Sequence, residues 1–265
     1  MRRFECIQLA VSRRVHDTRL LFFVLLAGCS GLFAVPAAAQ TTLVPIPFVG
    51  CKGDGQVGPE AAPRGGIKRV QIDAAAAPRL AYYKAASGPG VLGPLGWFCF
   101  ATYGSNGSTL YVSPTPLSSA VLFSDQWKGF TGSAIQLSVS IGDTSGRFAV
   151  ARMIARVFPS RSRFANEVAR ERIEPADDFK HEPFPADRMT YRSRNVVEFE
   201  TAAGQPGLGT GSWLTVNGRP IRGVAILVGE TPDLVQLSMR LPDDAGNLYQ
   251  LVVHQVEADA VHMPR

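Results

Sequence analysis

The sequence predicts an α+β fold, in which an antiparallel sheet of several strands carries one main helix on a face and is preceded by a disulfide-tied hairpin region. Stretches rich in β-branched and aromatic residues succeed one another through short turns, which is typical of antiparallel strands. A single stretch, 147–158, instead shows helical spacing of apolar residues. The 26 Gly and 19 Pro among 265 residues give the turn-rich composition that such a fold needs.

The same patterns suggest how the chain is divided. Residues 1–39 are expected to be a signal peptide, 40–128 a loop-rich region with a β-hairpin, 129–258 the helix with the antiparallel sheet, and 259–265 a tail. About 225 residues remain after the leader, which is enough for one sizeable core. We therefore expect residues 40–258 to form one compact domain.

The first 39 residues have the three parts of an export signal. An arginine-rich start precedes an apolar segment at 20–27, and small residues precede a cleavage site between Ala39 and Gln40. Glycines and a proline interrupt the apolar run, which argues against a membrane-spanning helix of about 20 residues. The protein is thus expected in the periplasm or outside the cell.

A second cleavage site competes with the first. Leu26-Ala27-Gly28-Cys29 resembles the lipobox of bacterial lipoproteins. That resemblance implies lipidation of Cys29 and an outer-membrane lipoprotein, as the alternative to cleavage after Ala39. Contact with a membrane is expected only through this lipid anchor.

The charge balance disfavours a nucleic-acid partner. The formal charge is +5 for the whole chain, but the leader holds five Arg against one Glu and one Asp. About +2 therefore remains after its removal, without the concentrated basic face that nucleic-acid binding requires. The high isoelectric point is largely a property of the leader.

Two cysteines remain outside the leader, Cys51 and Cys99. In an exported protein two cysteines more often pair than not, so we predict a disulfide, with two separate buried thiols as the alternative. Neither cysteine has a partner at C-x-x-C spacing, and no metal site is expected.

The elements can be assigned in order. Residues 41–66 read as a loop-rich arm because of their prolines and glycines. The stretch 95–114 reads as a hairpin whose Asn106-Gly107 turn is of type I′. Further strands are predicted at the following ranges: 67–72, 120–123, 135–141, 189–201, 212–216, 219–228, 234–241 and 248–256. Asn217-Gly218 is predicted as a second hairpin turn.

The one convincing helix covers 147–158. Val150, Ile154, Val157 and Phe158 recur at helical spacing and define a stripe that faces the core. Pro159 ends the helix.

Two resemblances follow from these residues. The string Gly96-Trp97-Phe98-Cys99, continued by Tyr103 to Gly107, resembles a GWxCxxxYGSNG hairpin motif of uncharacterised secreted bacterial proteins, and it implies no activity. The order of elements is loosely similar to the Mog1/PsbP-like fold, which usually closes with a C-terminal helix. The segment 259–265 is too short for such a helix, and this is a departure from that fold.

No catalytic signature stands out, so the catalytic residues stay unknown and no cofactor is expected. The G-x-S-x-G elbow of serine hydrolases is absent from the sequence. The alternative to a binding protein is a secreted hydrolase whose site is assembled from dispersed residues such as Ser105 and His254. Glu198 and Glu200 lie on one face of a strand, where a solvated outer surface explains them more simply than glycosidic chemistry.

The strongest charge cluster consists of arginines in and after the helix. Arg152, Arg156, Arg161 and Arg163 form a candidate patch for an anionic partner. We therefore expect a non-catalytic, exported domain that binds an unknown envelope component or protein.

Overall fold

The computed structural model describes residues 42–263, so the predicted leader with Cys29, Ala39 and Gln40 lies outside it. The predicted α+β class is confirmed. The strands are β1 (Thr42–Gly50), β2 (Lys52–Gly55), β3 (Ile67–Ile72), β4 (Leu80–Lys84), β5 (Val91–Pro94), β6 (Phe98–Gly104), β7 (Gly107–Ser113), β8 (Ala134–Ser140), β9 (Asp187–Ser193), β10 (Val196–Thr201), β11 (Ile221–Val228) and β12 (Asp233–Arg240). The α-helices are α1 (Ser119–Leu122), α2 (Arg147–Val157), α3 (Ser162–Arg170) and α4 (Leu248–Ala260).

The strands form two sheets. The small sheet has the order β3-β1-β4-β5, and the large sheet has the order β2-β6-β7-β8-β12-β11-β10-β9. Neighbours in the large sheet run antiparallel except for β2 and β6, and in the small sheet except for β1 and β4. The chain passes from the small sheet to the large one at Cys51, between β1 and β2.

The large sheet is covered on both faces. Along β11, Val224 and Ile226 join the core that contains α4 and the small sheet, whereas Ala225 and Leu227 join the core that contains α2 and α3. Successive side chains of a strand point to opposite faces, so this alternation separates the two cores. The helix predicted at 147–158 is confirmed as α2, and its stripe packs on the second face.

The predicted disulfide is confirmed. Cys51 and Cys99 are bonded, with their Cα atoms 5.3 Å apart. Cys51 lies at the passage between the sheets, and Cys99 lies in β6, the strand beside β2. The bond therefore fixes the start of the large sheet to its central hairpin.

The largest difference from the sequence prediction is at the C-terminus. The strand predicted at 248–256 is helix α4, which buries Leu248, Val252, Val256 and Ala260. These residues recur every four positions, which is helical spacing, although the apolar run at 251–253 is also compatible with a strand. The expectation that the chain lacks the C-terminal helix of the Mog1/PsbP-like order was therefore wrong.

Several local predictions were also wrong. The stretch 212–216 is a loop whose Leu214 makes one isolated bridge to Phe130 of another loop, so Asn217-Gly218 is not a hairpin turn. The stretch 189–201 is a hairpin of β9 and β10, and the stretch 120–123 belongs to α1. In the predicted arm, β1 pairs over 42–47 with β3 alone, so its other edge is open there. Its two prolines have no N–H group to donate, and this open edge tolerates them.

The central hairpin turns at Ser105-Asn106, not at Asn106-Gly107. Gly104 pairs with Gly107, which already begins β7. Arg172 is the one non-glycine residue with positive φ between 42 and 263, so this is not a type I′ turn. Gly107 has a φ of 135°, and a Cβ there would collide with the Val139 carbonyl of β8. Glycine at this position thus allows β7 and β8 to approach each other closely.

Candidate functional site in a cleft between the sheets

A cleft of about 650 Å³ opens in the described part of the chain. Its lining comes from the small sheet, the tip of the central hairpin, the end of β8 and the end of α4. Tyr82, Val139, Ile141 and Met263 are among the residues of its apolar wall. A largely apolar cleft of this size with a few polar groups is typical of small-molecule binding sites.

Glycines in the loop between β4 and β5 keep the cleft open. A Cβ at Gly90 would lie 2.5 Å from the Tyr82 ring. Gly88 has a φ of 78°, and a Cβ there would collide with the Ser108 hydroxyl of the hairpin. The loop therefore approaches both elements closely, with its backbone at the rim.

A hydrogen-bond network fixes the floor of the cleft. The Tyr82 hydroxyl donates to Asp259 Oδ2 at 2.7 Å, and Gln255 Nε2 donates to the same oxygen at 2.9 Å. Gln255 also accepts a hydrogen bond from the Leu92 backbone N–H at 2.8 Å, which ties α4 to β5. Burial, followed by the contact with Asp259, raises the pKa of Tyr82, so this phenol stays protonated.

Two lysines face the cleft, and they differ in their interaction partners. Lys68 Nζ lies 4.0 Å from Asp259 Oδ1 and 4.8 Å from the centre of the Tyr82 ring. Lys84 donates to the Gly88 carbonyl at 2.6 Å, and none of the ion pairs within 42–263 includes it. Burial lowers the pKa of Lys84, Asp259 opposes this shift and Lys68 adds to it. Lys84 is thus a half-buried ammonium with donors left for an anion.

The predicted arginine patch has partners within the protein. Arg152 pairs with Glu174, and Arg163 Nε lies 2.8 Å from Glu167 Oε1. The remaining two donate to backbone carbonyls: Arg156 to Glu182 and Arg161 to Gly229. Binding of an anionic partner at Arg152, Arg156, Arg161 and Arg163 stays a prediction, but these contacts occupy much of their hydrogen-bonding capacity.

The residues considered for hydrolysis lie apart. Ser105 is at the exposed hairpin tip, where its hydroxyl lies 3.4 Å from that of Ser145. His181, His254 and His262 are exposed, and within 42–263 none of them hydrogen-bonds to a hydroxyl, thiol or carboxylate. The hydrolase alternative therefore has no assembled Ser-His pair in this range.

The paired carboxylates are half-buried and form salt bridges with exposed arginines, so the predicted solvated face is partly covered. Glu198 lies 2.5 Å from Arg192, and Glu200 lies 2.5 Å from Arg222. Their side chains are 13% and 24% exposed, and the Tyr249 hydroxyl of α4 donates to Glu198 Oε2 at 3.3 Å. Each carboxylate is thus engaged in a salt bridge, which explains the pair structurally without glycosidic chemistry.

Residues 42–263 contain neither a cluster of metal-binding side chains nor a membrane-spanning helix. No group of three or more His, Cys, Asp or Glu side chains is placed to hold a metal ion. No helix in this range has the length and apolar character needed to cross a membrane.

Sequence reasoning missed Tyr82, Lys84 and Asp259. They belong to β4 and α4, which are separated by more than 160 residues, and the assignment of α4 as a strand hid their meeting. A signal existed in Gly88-Pro89-Gly90, which follows Lys84 closely and marks a tight loop. No spacing rule connects that loop to Asp259.

Comparison with known proteins adds no relative. The chain matches no protein-family model, and neither the curated proteins nor the solved structures give a significant match. Both resemblances, to the GWxCxxxYGSNG proteins and to the Mog1/PsbP-like fold, therefore stay predictions. The function of the cleft has to be inferred from its own chemistry.

Proposed function

We propose that this chain is an exported, non-catalytic binding domain of the bacterial envelope, and that the cleft between its sheets takes a small amphiphilic anion. The observation that carries the proposal is Lys84, a half-buried ammonium without an acidic partner in a mostly apolar cleft. A carboxylate or phosphate would complete its hydrogen bonding. The apolar wall would cover an alkyl or aromatic body.

The energetics favour an anion over a neutral ligand. A half-buried ammonium loses part of its hydration, and an opposite charge offsets that loss. A charge-assisted hydrogen bond contributes about 1.5–3 kcal/mol. Burial of alkyl groups adds about 0.8 kcal/mol per methylene.

The disulfide supports the location part of the proposal. Stable disulfides persist in oxidising compartments such as the periplasm, and they are rare in the cytosol. Cleavage before Gln40 is the favoured route to that compartment, and lipidation of Cys29 is the alternative.

Expression of the full chain in a bacterial host tests export. We expect the mature protein outside the cytosol with Gln40 at its N-terminus, measured by terminal sequencing and mass spectrometry. A lipidated Cys29 at the N-terminus would support the alternative. A cytosolic protein that keeps Met1 would contradict both.

Titration of the purified protein with decyl phosphate, below the detergent's micellar concentration, tests the cleft. Replacement Lys84→Met should weaken binding by roughly 10- to 100-fold, because a charge-assisted hydrogen bond is lost. Lys128→Met is a matched control, since the exposed Lys128 also donates to one backbone carbonyl at 2.6 Å. Calorimetry gives the dissociation constants.

The pH dependence of binding gives a second readout. Binding to wild-type protein should fall as pH rises through the pKa of Lys84, which lies below the 10.5 of an ordinary lysine. The Lys128→Met control keeps every charged group of the cleft, including Lys68, His262 and both aspartates. A pH dependence that is present in this control and lost in Lys84→Met therefore belongs to Lys84. Equal affinity for decanol and decyl phosphate would contradict an anion site.

A further inference from the structure

Uncharged polar side chains form a row across the large sheet. Thr102, Thr109, Ser138 and Gln236 are direct partners on the adjacent strands β6, β7, β8 and β12. Directly paired residues share a face of the sheet. With strands about 4.8 Å apart, the row spans roughly 14 Å.

The row is held in place by hydrogen bonds from its neighbours. Ser138 Oγ accepts from Thr109 Oγ1 at 3.1 Å and from Gln136 Nε2 at 3.0 Å. A hydroxyl that accepts two hydrogen bonds keeps its own proton to donate. Gln136 Oε1 accepts from the backbone N–H of Trp213 at 2.9 Å, which fixes the loop at 212–216 beside the row.

An aromatic cluster stands next to the row on the same face. Tyr111 lies two residues after Thr109 in β7, on the same face, and it packs against Trp127 and Phe130. The Trp213 ring is 4.8 Å from the Trp127 ring, centre to centre, and it is 48% exposed. An exposed tryptophan beside fixed polar groups offers an apolar surface for stacking.

The groove over the row holds about 290 Å³, and among residues 42–263 the only acid or base that lines it is Tyr103. Its rim comes from the hairpin tip and from Gly211, two residues before Trp213. The polar side chains that line it, besides Tyr103, are Thr102, Asn106, Ser108, Thr109, Gln136, Ser138, Ser140 and Gln236. Each of these hydroxyls and amides can donate as well as accept.

We infer that this row and Trp213 form a binding site for a neutral oligosaccharide. A sugar offers hydroxyls that donate and accept, which complements the row, and it offers C–H faces that pack on an aromatic ring. A charged ligand would find no counter-charge in the groove and would lose hydration without compensation. The elongated shape of the row suits a short chain of sugar rings.

The row lies on the opposite face of the large sheet from the cleft with Lys84, although Tyr103, Gly107, Ser108 and Val139 line both the groove and the cleft. Side chains alternate along a strand, so Ser138 points to the face opposite that of Val139, which lines the cleft. The inference does not rest on the proposed function of the cleft. Lys84→Met should therefore leave oligosaccharide binding unchanged.

Calorimetric titration of the purified full-length protein with cellotetraose, maltotetraose and chitotetraose tests the site. At least one of these probes should bind saturably, and Trp213→Ala should weaken its binding by roughly tenfold or more. Ser138→Ala should weaken it as well without removing an apolar surface. Tyr191→Ala is the matched control, because Tyr191 is 54% exposed on the edge strand β9.

The outcomes separate clearly. Saturable binding that both groove variants weaken and the Tyr191 control retains would support the site. Absence of binding by all three probes at millimolar concentration would overturn it. Tighter binding of tetragalacturonate than of any neutral probe would overturn it too, as would full affinity in both groove variants.

Discussion

Replacement of both Cys51 and Cys99 by alanine should lower the free energy of unfolding by about 4 kcal/mol in the chain-entropy account of disulfides. The two residues are separated by 48 positions, and closure of a loop of this length restricts the unfolded chain strongly. Equilibrium denaturation in urea measures the change. Wild-type protein under reducing conditions is the matched control, and it should lose a similar amount.

The position of the bond adds a local expectation. Cys51 is buried at the passage between the sheets, so its loss should loosen β2 and the start of the hairpin before the rest. Hydrogen exchange should rise first at Lys52–Gly55. A double variant as stable as wild type, with unchanged exchange there, would contradict a structural role for the bond.

Arg240→Ala should destabilise the protein by about 3 kcal/mol. The side chain is 1% exposed and donates to the backbone carbonyls of Phe130, Gly132 and Thr215. Burial lowers the pKa of Arg240, with Arg219 as the second cause, yet no carboxylate pairs with it among the residues described. Its removal takes one donor from each of these carbonyls, and among the residues described only the Phe130 carbonyl keeps other donors, the N–H and the hydroxyl of Thr215. Carbonyls that lose their donor are costly when buried.

Arg222→Ala is the control for this variant. Arg222 is half-exposed and pairs with Glu200, which keeps Arg188 as a second partner. A loss under about 1 kcal/mol is expected, because exposed ion pairs contribute little. Urea denaturation of both variants decides the comparison, and equal losses would show that Arg240 has no special structural role.

The Arg240 variant also bears on the oligosaccharide site. Its three acceptors lie in the two loops that hold Phe130 and Trp213, so Arg240 positions the aromatic cluster from beneath. In Arg240→Ala the emission of Trp213 should change, and oligosaccharide affinity should fall with it. Arg222→Ala should change neither.

Local patterns were sufficient for part of the fold. Strict alternation at 135–141 identified β8, apolar spacing at 147–158 identified α2, and an exported chain with two cysteines predicted the disulfide. Each of these features depends on residues close in sequence or on chemistry that does not need the fold. The prediction failed at the C-terminal helix, because the apolar run at 251–253 outweighed the helical spacing of the buried residues. Packing of this segment against β11 decides that it is a helix.

The candidate sites could not be predicted, because they depend on strand order. Ser138 and Gln236 are neighbours only because β12 pairs with β8, across α2, α3 and three other strands. The meeting of Lys84 with Asp259 needs the same kind of knowledge. By contrast the arginine cluster was visible in sequence, yet its charges are largely used by glutamates and carbonyls within the fold.

The most direct test of the central claim is where an amphiphilic anion binds. Amide NMR spectra of the purified protein, recorded with increasing decyl phosphate below its micellar concentration, should show saturable shifts at 86–90 and at the end of α4. The hairpin amide of Ser108 should follow, since it lines the same cleft. Shifts confined to the arginines of α2 and α3, or no saturable shifts, would contradict the account.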